Sequence, residues 1–237
     1  MVHRESVSAR GNNTMKLLSV NVSLPKRGRH ARREVTTGRF KEPVRGSVML
    51  RTLNLDREGQ ADLVNRGAIY RSASVYPMEH YDYWWRELGR EDLTFGQFGE
   101  DFTVEGMLED DIYIGDVFRV GHAVVEVSHP RPPWFELGIK MGMAQFTKLF
   151  LRSGRVGFYL RILAEGEVRA GDTFELVKAD PERITVGEMS HLLFFDPENV
   201  EGAKRALRIK ALSPAWRSTF EERLIRAGVI GKHDSTP

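Results

Sequence analysis

Short β-rich segments separated by glycine-containing turns are the feature that most limits what this chain can fold into. They recur between residues 15 and 180, and in two of them, residues 115–120 and 171–176, a Gly-Asp turn leads into a strand. Many short strands with glycine turns favour a barrel over a parallel sheet flanked by helices. We therefore predict a mostly β fold: a closed or nearly closed, mostly antiparallel β-barrel over residues 15–180, with peripheral helices.

Beyond residue 178 the pattern of apolar residues becomes helical. Three capping signals precede amphipathic segments there: a capping box at Thr185 and Glu188, and N-cap residues at Asn199 and Ser213. These signals predict a small C-terminal three-helix subdomain over residues 183–228. A further helix is predicted at residues 77–88, where aromatic residues recur at helical spacing before Gly89.

The absence of cysteine from the 237 residues narrows the available chemistry. Without thiols there is no disulfide, no zinc–thiolate or iron–sulfur site and no thiol nucleophile. No pair of histidines has metal-ligand spacing, so no metal held by protein side chains is expected. The chain also lacks a Walker loop and a Gly-x-Gly-x-x-Gly turn after a strand, which disfavours the common nucleotide-binding folds.

Hydrophobic patterning bears on the compartment. No apolar run approaches the ~20 residues of a membrane span. Residues 1–14 are polar and lack the apolar core of a secretory signal. We expect a cytoplasmic protein with no membrane partner, in which residues 1–14 are a disordered extension or a misassigned start.

A cluster of basic residues lies at residues 26–33, in a chain whose net charge is only +2. Such a cluster can contact nucleic acid through phosphates. No aromatic side chain interleaves with the cations, however, so an exposed, solvated loop without a nucleic-acid role is the favoured interpretation.

Two unusual loops predict the walls of a pocket. In the first, residues 96–101, Gly96 and Gly99 allow close backbone approach, and Glu100 and Asp101 place two carboxylates before a strand. The second loop, residues 129–135, contains three prolines that stiffen the backbone around a cation and an indole.

The order and spacing of several short motifs resemble the MOSC family, named after the C-terminal domain of molybdenum cofactor sulfurase, and in particular its YiiM-like branch. The resemblance extends from about Leu17 to Leu224. The matching pieces are LLSVNV (17–22), PV (43–44), LNLD (53–56), GQADL (59–63), YP (76–77), EHY (79–81), the loop at 96–101, PR (130–131) and GFYLR (157–161).

The resemblance implies a barrel with a three-helix appendage and binding of molybdenum, as the molybdenum cofactor (molybdopterin); pyridoxal phosphate binding is also associated with the family. It implies an oxidoreductase that reduces N-hydroxylated compounds, with a small-molecule ligand and a redox partner protein. The chain departs from the family motif at three positions. Arg66 stands where a histidine is expected, Trp134 where a cysteine is expected, and Asp101 where an asparagine is expected.

These departures limit the chemistry. An indole is neither a soft metal ligand nor a persulfide carrier, so cysteine-based sulfur transfer is unavailable. Arginine stays charged and cannot replace a histidine as an acid. His129, at the pocket rim, is the candidate substitute acid, whereas His80 is interpreted as structural.

What remains is a set of residues suited to binding an anionic cofactor. The candidate binding residues are Arg66, Arg71, Glu100, Asp101, Arg131, Trp134 and Lys140. Guanidinium groups suit phosphate and other oxyanions, and an indole can stack on a pterin or purine ring. The structural alternatives are that Arg131 pairs with Glu100 or Asp101, and that Trp134 only packs. We predict that Arg66, Arg71 and Arg131 converge on one anion.

Two functions from different classes follow. The first is a molybdenum-cofactor-dependent oxidoreductase. The second is a non-catalytic cofactor carrier or binding protein on the same fold, which the missing cysteine and histidine favour. The sequence leaves the substrate, the redox partner and the oligomeric state open.

Overall fold

The computed structural model describes most of the chain. The described residues are 14–23, 26–30, 33–37, 41–53, 55–56 and 68–231. The prediction of a disordered extension before residue 14 and the candidate binding residue Arg66 lie outside them.

Twelve strands and six α-helices form in the described ranges. The strands are β1 (Lys16–Val22), β2 (Lys26–His30), β3 (Arg33–Thr37), β4 (Glu42–Pro43), β5 (Val48–Leu50), β6 (Ala73–Pro77), β7 (Phe102–Glu105), β8 (Val117–Val120), β9 (Ala123–Pro130), β10 (Phe158–Ala164), β11 (Gly166–Val168) and β12 (Phe174–Lys178). The helices are α1 (Glu79–Leu88), α2 (Phe135–Met141), α3 (Phe146–Arg152), α4 (Val186–Phe194), α5 (Val200–Arg208) and α6 (Pro214–Arg226), and a short 3-10 helix spans Ala68–Arg71.

Eight strands form one strongly curled sheet in the order β12-β8-β9-β10-β6-β7-β1-β4, antiparallel except for the β6–β7 pair. The sheet is a half-barrel and does not close. At the start of β1, Lys16 forms a single bridge with Thr173, the residue before β12. Farther along β1, the same edge pairs with β4. Because β4 occupies that edge, no continuous ladder joins β1 to β12. The predicted barrel is thus confirmed as a curled, mostly antiparallel sheet and is wrong as a closed barrel.

Residues 26–30 and 33 of the basic segment lie in strands, whereas the sequence-based expectation was an exposed loop over residues 26–33. Strands β2 and β3 pair as an antiparallel hairpin, with Lys26 opposite Thr37 and His30 opposite Arg33. A hairpin satisfies backbone donors and acceptors whatever side chains it carries, so a basic, non-apolar sequence can still form one.

Most helix limits follow from the capping chemistry. Thr185 and Glu188 form the predicted capping box of α4, and the side chains of Asn199 and Ser213 accept from backbone amides of α5 and α6. Helix α1 ends at Gly89, whose φ of 59° is left-handed. None of the described helices is long and apolar enough to span a bilayer.

The core is divided into two clusters. The larger one fills the inside of the curled sheet and continues into α4, α5 and α6 through residues such as Met189, Ala206 and Phe220. The second is aromatic and joins α1, the loop at residues 96–101, α2 and α3 through residues such as Trp84, Phe98 and Phe150. The second cluster supports the candidate site.

A matched pair of glycines tests how tightly β6 and β10 are packed. Gly154 and Gly157 both have φ of +70°, but only at Gly157 would a Cβ collide with the carbonyl oxygen of Val75; around Gly154 there is no atom within 4 Å. Gly154→Ala should cost about 1 kcal/mol of unfolding free energy from backbone strain alone. Gly157→Ala should cost about 3 kcal/mol or more. Urea unfolding measures both, and equal losses would contradict this packing.

Candidate anion-binding site

The loop at residues 96–101, which we call the Gly96 loop, is organised around the buried carboxylate of Glu100. Oε1 accepts hydrogen bonds from the Gly96 amide at 2.9 Å and from Thr103 Oγ1 at 2.9 Å, and Oε2 accepts from the Phe98 amide at 3.1 Å. Tyr81 Oη also donates to Oε1. Burial, and then the charge of Glu100, raise the pKa of Tyr81 well above its usual value, so the phenol stays protonated and donates. Glu100 therefore holds the loop in place.

Tight backbone packing explains the first glycine of this loop. Gly96 has φ of +83°, and a Cβ there would lie 2.7 Å from the carbonyl oxygen of Lys41. A side chain at this position would thus meet both backbone strain and a backbone collision.

Asp101 is the second carboxylate of the loop and is buried with its own partners. Oδ2 accepts from the amide and the hydroxyl of Ser74, both at 2.6 Å, and Oδ1 forms an ion pair with Lys41. Burial raises the pKa of Asp101, but the charge of Lys41 and the hydrogen bonds lower it more, so the pKa lies below its ordinary value. Asp101 is therefore an anion paired with Lys41.

Arg131 follows β9 and is buried, with 5% of its surface exposed. Nη2 donates to the carbonyl oxygen of Phe98 at 2.8 Å, whereas Nε and Nη1 have no hydrogen-bond partner among the described residues. The suggested pairing of Arg131 with Glu100 or Asp101 is not formed: both carboxylates accept from other groups. A buried guanidinium with two unused donor nitrogens is costly unless an acceptor binds it.

Lys140 in α2 is the second cation at the Gly96 loop. Nζ donates to the Gly96 carbonyl oxygen at 2.6 Å. Burial lowers its pKa to about 8, with the charge of Glu100 opposing the shift. Arg131 and Lys140 line a cavity of about 30 Å³ together with Gly99 and Trp134. This volume admits one or two water molecules or the oxygens of an oxyanion, but not a whole cofactor.

Trp134 connects the cavity to a third cation, Arg71, which lies outside the cavity lining. Its Nε1 donates to Tyr159 Oη at 3.1 Å, and the Arg71 guanidinium lies over its ring, 5.8 Å from the centroid. The Pro-rich segment does not stay a loop to residue 135 as expected, because Trp134 is the N-cap of α2 in extended conformation. The indole thus combines packing with a hydrogen bond and a cation–π contact.

His129 lies at the end of β9, with 4% of its surface exposed and Nδ1 without a partner in the part of the chain that the structure describes. Its ring centroid is 5.1 Å from that of Tyr159. Burial and then the charge of Arg71 lower its pKa to about 3. The imidazole is neutral at pH 7 and cannot act there as a cationic acid.

The structure therefore brings together some of the predicted binding residues and not others. Arg131, Lys140 and Trp134 share one cavity, and Glu100 and Asp101 support it from within the Gly96 loop. Arg71 packs on Trp134 and is not part of the cavity lining. Convergence of Arg66 with the other arginines stays a prediction.

Sequence reasoning missed two residues that support the site. Tyr81 donates to Glu100, and Lys41 pairs with Asp101. Tyr81 belongs to the EHY motif at residues 79–81, and this motif could have marked Tyr81 as a candidate site residue. Lys41 is 60 residues from its partner, and nothing local to it indicates the contact.

Comparison with known proteins identifies the family of this chain. Residues 62–175 match the model of the MOSC domain, and residues 184–226 match that of the YiiM-like, 3-alpha helix domain. The chain is 38% identical over 204 residues to the uncharacterized protein YflK of Bacillus subtilis, covering 86% of this chain and 92% of YflK. The chain belongs to the MOSC domain family.

Further relatives extend the comparison. Protein YiiM of Escherichia coli is 33% identical over 182 residues, covering 76% of this chain and 81% of YiiM. The crystal structure of YiiM from Geobacillus stearothermophilus superposes with a TM-score of 0.76 at 33% identity, covering 89% of this chain and 99% of that chain. A protein of Gibberella moniliformis named Reductase is 29% identical over 148 residues, which cover 61% of this chain and 26% of that protein.

The low pKa of His129 predicts a specific acid sensitivity. In the unfolded chain His129 has its ordinary pKa of 6.5 and binds a proton below that pH, whereas in the folded chain it stays neutral until about pH 3. The free energy of unfolding therefore decreases as the pH falls through this window. Between pH 6.5 and 5.0 the loss from this residue should be about 1.5 kcal/mol. His129→Gln should remove it in urea unfolding, while His122→Gln, at an exposed turn, should retain it. Equal pH slopes for the two variants would contradict the assignment.

Proposed function

We propose that this MOSC-family chain binds the molybdenum cofactor or a related anionic ligand at the cavity lined by Arg131 and Lys140. The observation that carries this proposal is the buried Arg131 guanidinium, whose Nε and Nη1 have no partner among the described residues. A phosphate or another oxyanion would accept from both nitrogens, because a guanidinium presents its donors as a planar fork.

The donor set fits the phosphate of a pterin cofactor better than its metal. Arg131 and Lys140 would hold the phosphate, and the larger part of the cofactor would lie outside the small cavity. Trp134 occupies the position of the family cysteine, and the described residues contain no group of three or more metal-ligating side chains. Molybdenum in such a cofactor would supply two-electron redox chemistry; the residues that line the cavity support binding of the anionic part.

Reduction of N-hydroxylated compounds is the enzymatic form of this proposal. It is supported by family membership and by the name of the Gibberella moniliformis relative, Reductase, of which the chain spans about a quarter. In this form a redox partner protein supplies the electrons. Pyridoxal phosphate carries the same phosphate monoester and is a second ligand to test at the same cavity.

A non-catalytic carrier of the cofactor is the second candidate, and a specific observation favours it. Trp134 stands where the family motif expects a cysteine, so no thiolate is present there. His129, the candidate acid, is neutral at pH 7 because its pKa is about 3. A binder requires neither a soft ligand nor a proton donor, so both departures are compatible with it.

Arg131 variants test the binding site. Arg131→Met should weaken binding of inorganic phosphate, molybdate and pyridoxal phosphate by about 1.5–3 kcal/mol, the scale of a charged hydrogen bond. Arg131→Lys should lose less anion affinity than Arg131→Met, because lysine keeps the positive charge. Isothermal titration calorimetry at pH 7, below the Lys140 pKa of about 8, measures each affinity while that lysine is cationic.

Arg217→Met is the matched control for this experiment. The Arg217 guanidinium donates to the carbonyl oxygens of Leu207 and Ile209 at 2.8 Å each, so the variant also loses hydrogen bonds to carbonyls but lies outside the cavity. Its anion affinity should equal that of the natural chain. Unchanged affinity in Arg131→Met would overturn the site.

Trp134 variants separate the enzyme from the carrier. Trp134→Cys should increase molybdenum retained per chain after expression with cofactor, because a thiolate is a soft ligand, while Trp134→Ser should not. Metal analysis and assays with N-hydroxylated compounds measure the two effects. Turnover by the natural chain would support the enzyme; cofactor bound without turnover in all three proteins would support the carrier.

A further inference from the structure

A second depression lies between α1 and α4, and we call it the α1–α4 cleft. Its walls are the start of α1, residues 108–110, residues 152–155 after α3, and one side of α4. Its volume is about 660 Å³, which falls in the range of small-molecule sites. None of its lining residues lines the Arg131 cavity.

Three arginines line this cleft: Arg86, Arg152 and Arg155. None of them forms an ion pair with a carboxylate in the described ranges of the chain. Arg155 lies over the Tyr83 ring, 4.0 Å from the centroid, and its Nη1 donates to the carbonyl oxygen of Ser153 at 2.9 Å. Three guanidinium groups on one concave surface repel each other unless an anion lies between them.

Three carboxylates line the cleft, Asp110, Glu79 and Glu109, and the last two accept hydrogen bonds from groups other than the arginines. Glu109 Oε1 accepts from the Gly157 amide at 2.7 Å, and its Oε2 lies 2.6 Å from His80 Nε2. Glu79 Oε1 accepts from the Gly106 amide at 2.7 Å, while its Oε2 is buried without a partner among the described residues. None of these three carboxylates forms an ion pair with the cleft arginines among the described residues, so the guanidinium groups keep donors for a ligand, and Glu79 Oε2 offers one acceptor to a ligand hydroxyl or amine.

Ser190 of α4 supplies an unused group at the cleft. It is 4% exposed, and its hydroxyl has no hydrogen-bond partner within the described part of the protein. A buried hydroxyl normally has a partner. Because Ser190 lines the cleft, its hydroxyl is the nearest unused buried group of α4 to a ligand bound there.

An apolar ring completes the lining. Phe195 is 46% exposed, and its ring is nearly parallel to that of His191, at 18° with the centroids 6.0 Å apart. Exposed aromatic rings beside a cationic cleft suit a ligand with a planar ring, because stacking adds to the electrostatic attraction.

We propose that the α1–α4 cleft binds a phosphate monoester in which a hydroxylated linker joins the phosphate to a planar heteroaromatic ring, as the ribose does in a nucleoside monophosphate. The phosphate binds Arg152 and Arg155, and the ring packs on Phe195. Ser190 and Glu79 Oε2 bind the polar groups between them. This site is independent of the anion proposed at Arg131.

NMR of the imidazole groups tests the proposal on the full chain. Adenosine 5′-monophosphate should shift the His191 resonance in a saturable way and leave that of His122, on a distant turn, unmoved. Arg152→Gln should weaken this binding about tenfold, the scale of one charged hydrogen bond. Arg119→Gln, an exposed arginine on β8 outside the cleft, should leave the affinity unchanged.

Further variants distinguish the two parts of the ligand. Phe195→Ala should weaken binding of the nucleotide but not of inorganic phosphate, and Ser190→Ala should weaken the nucleotide while the fold is unchanged by circular dichroism. A dissociation constant of ~1 mM is the weak limit expected for such a ligand. No shift of His191 at a nucleotide concentration about ten times that value would overturn the site. An equal shift with sodium chloride at matched ionic strength would also overturn it, as would equal affinities in Arg152→Gln and Arg119→Gln.

Discussion

The buried carboxylate of Glu100 is the interaction on which the candidate site depends. It accepts from the amides of Gly96 and Phe98 and from the hydroxyl groups of Tyr81 and Thr103. The amides of the Gly96 loop are therefore turned inward. The carbonyl oxygens of the same two residues, Gly96 and Phe98, are bound by Lys140 and Arg131. One carboxylate thus fixes the loop, and the loop fixes the two cations that line the cavity.

This arrangement leaves Arg131 with more hydrogen-bond donors than acceptors around it, and an anion can supply the missing acceptors. The loop presents carbonyl oxygens, and a carbonyl uses only one of the Arg131 donor nitrogens. The Arg131 guanidinium is held in place because the aromatic cluster and the Pro-rich segment pack around the cavity that it lines. Trp134 lines the same cavity, and the Arg71 guanidinium lies over its ring. The cavity thus presents cationic donors and an indole, and no thiol, because the chain has no cysteine.

Gly157 joins the two proposed binding regions through its backbone. Its amide donates to Glu109, which also pairs with His80 at the α1–α4 cleft, and its carbonyl oxygen accepts from the Arg131 amide. The residue has no room for a Cβ because β6 lies against it. The interpretation of His80 as structural fits this contact, although the same pair also borders the cleft.

The sequence by itself determined the local features of the fold. Capping residues such as Thr185 and Asn199, and the left-handed end of α1 at Gly89, are set by hydrogen bonds and backbone angles within a few residues, so they could be predicted. The sequence also identified Arg131, Trp134 and Lys140 as neighbours through a resemblance that fixes their order. Tertiary structure decided what these residues do. Whether Arg131 pairs with Glu100 depends on which donors reach that carboxylate from α1 and β7, and the closure of the barrel depends on which strand takes the free edge of β1. Both are set by contacts between residues far apart in the chain, for which no local pattern exists.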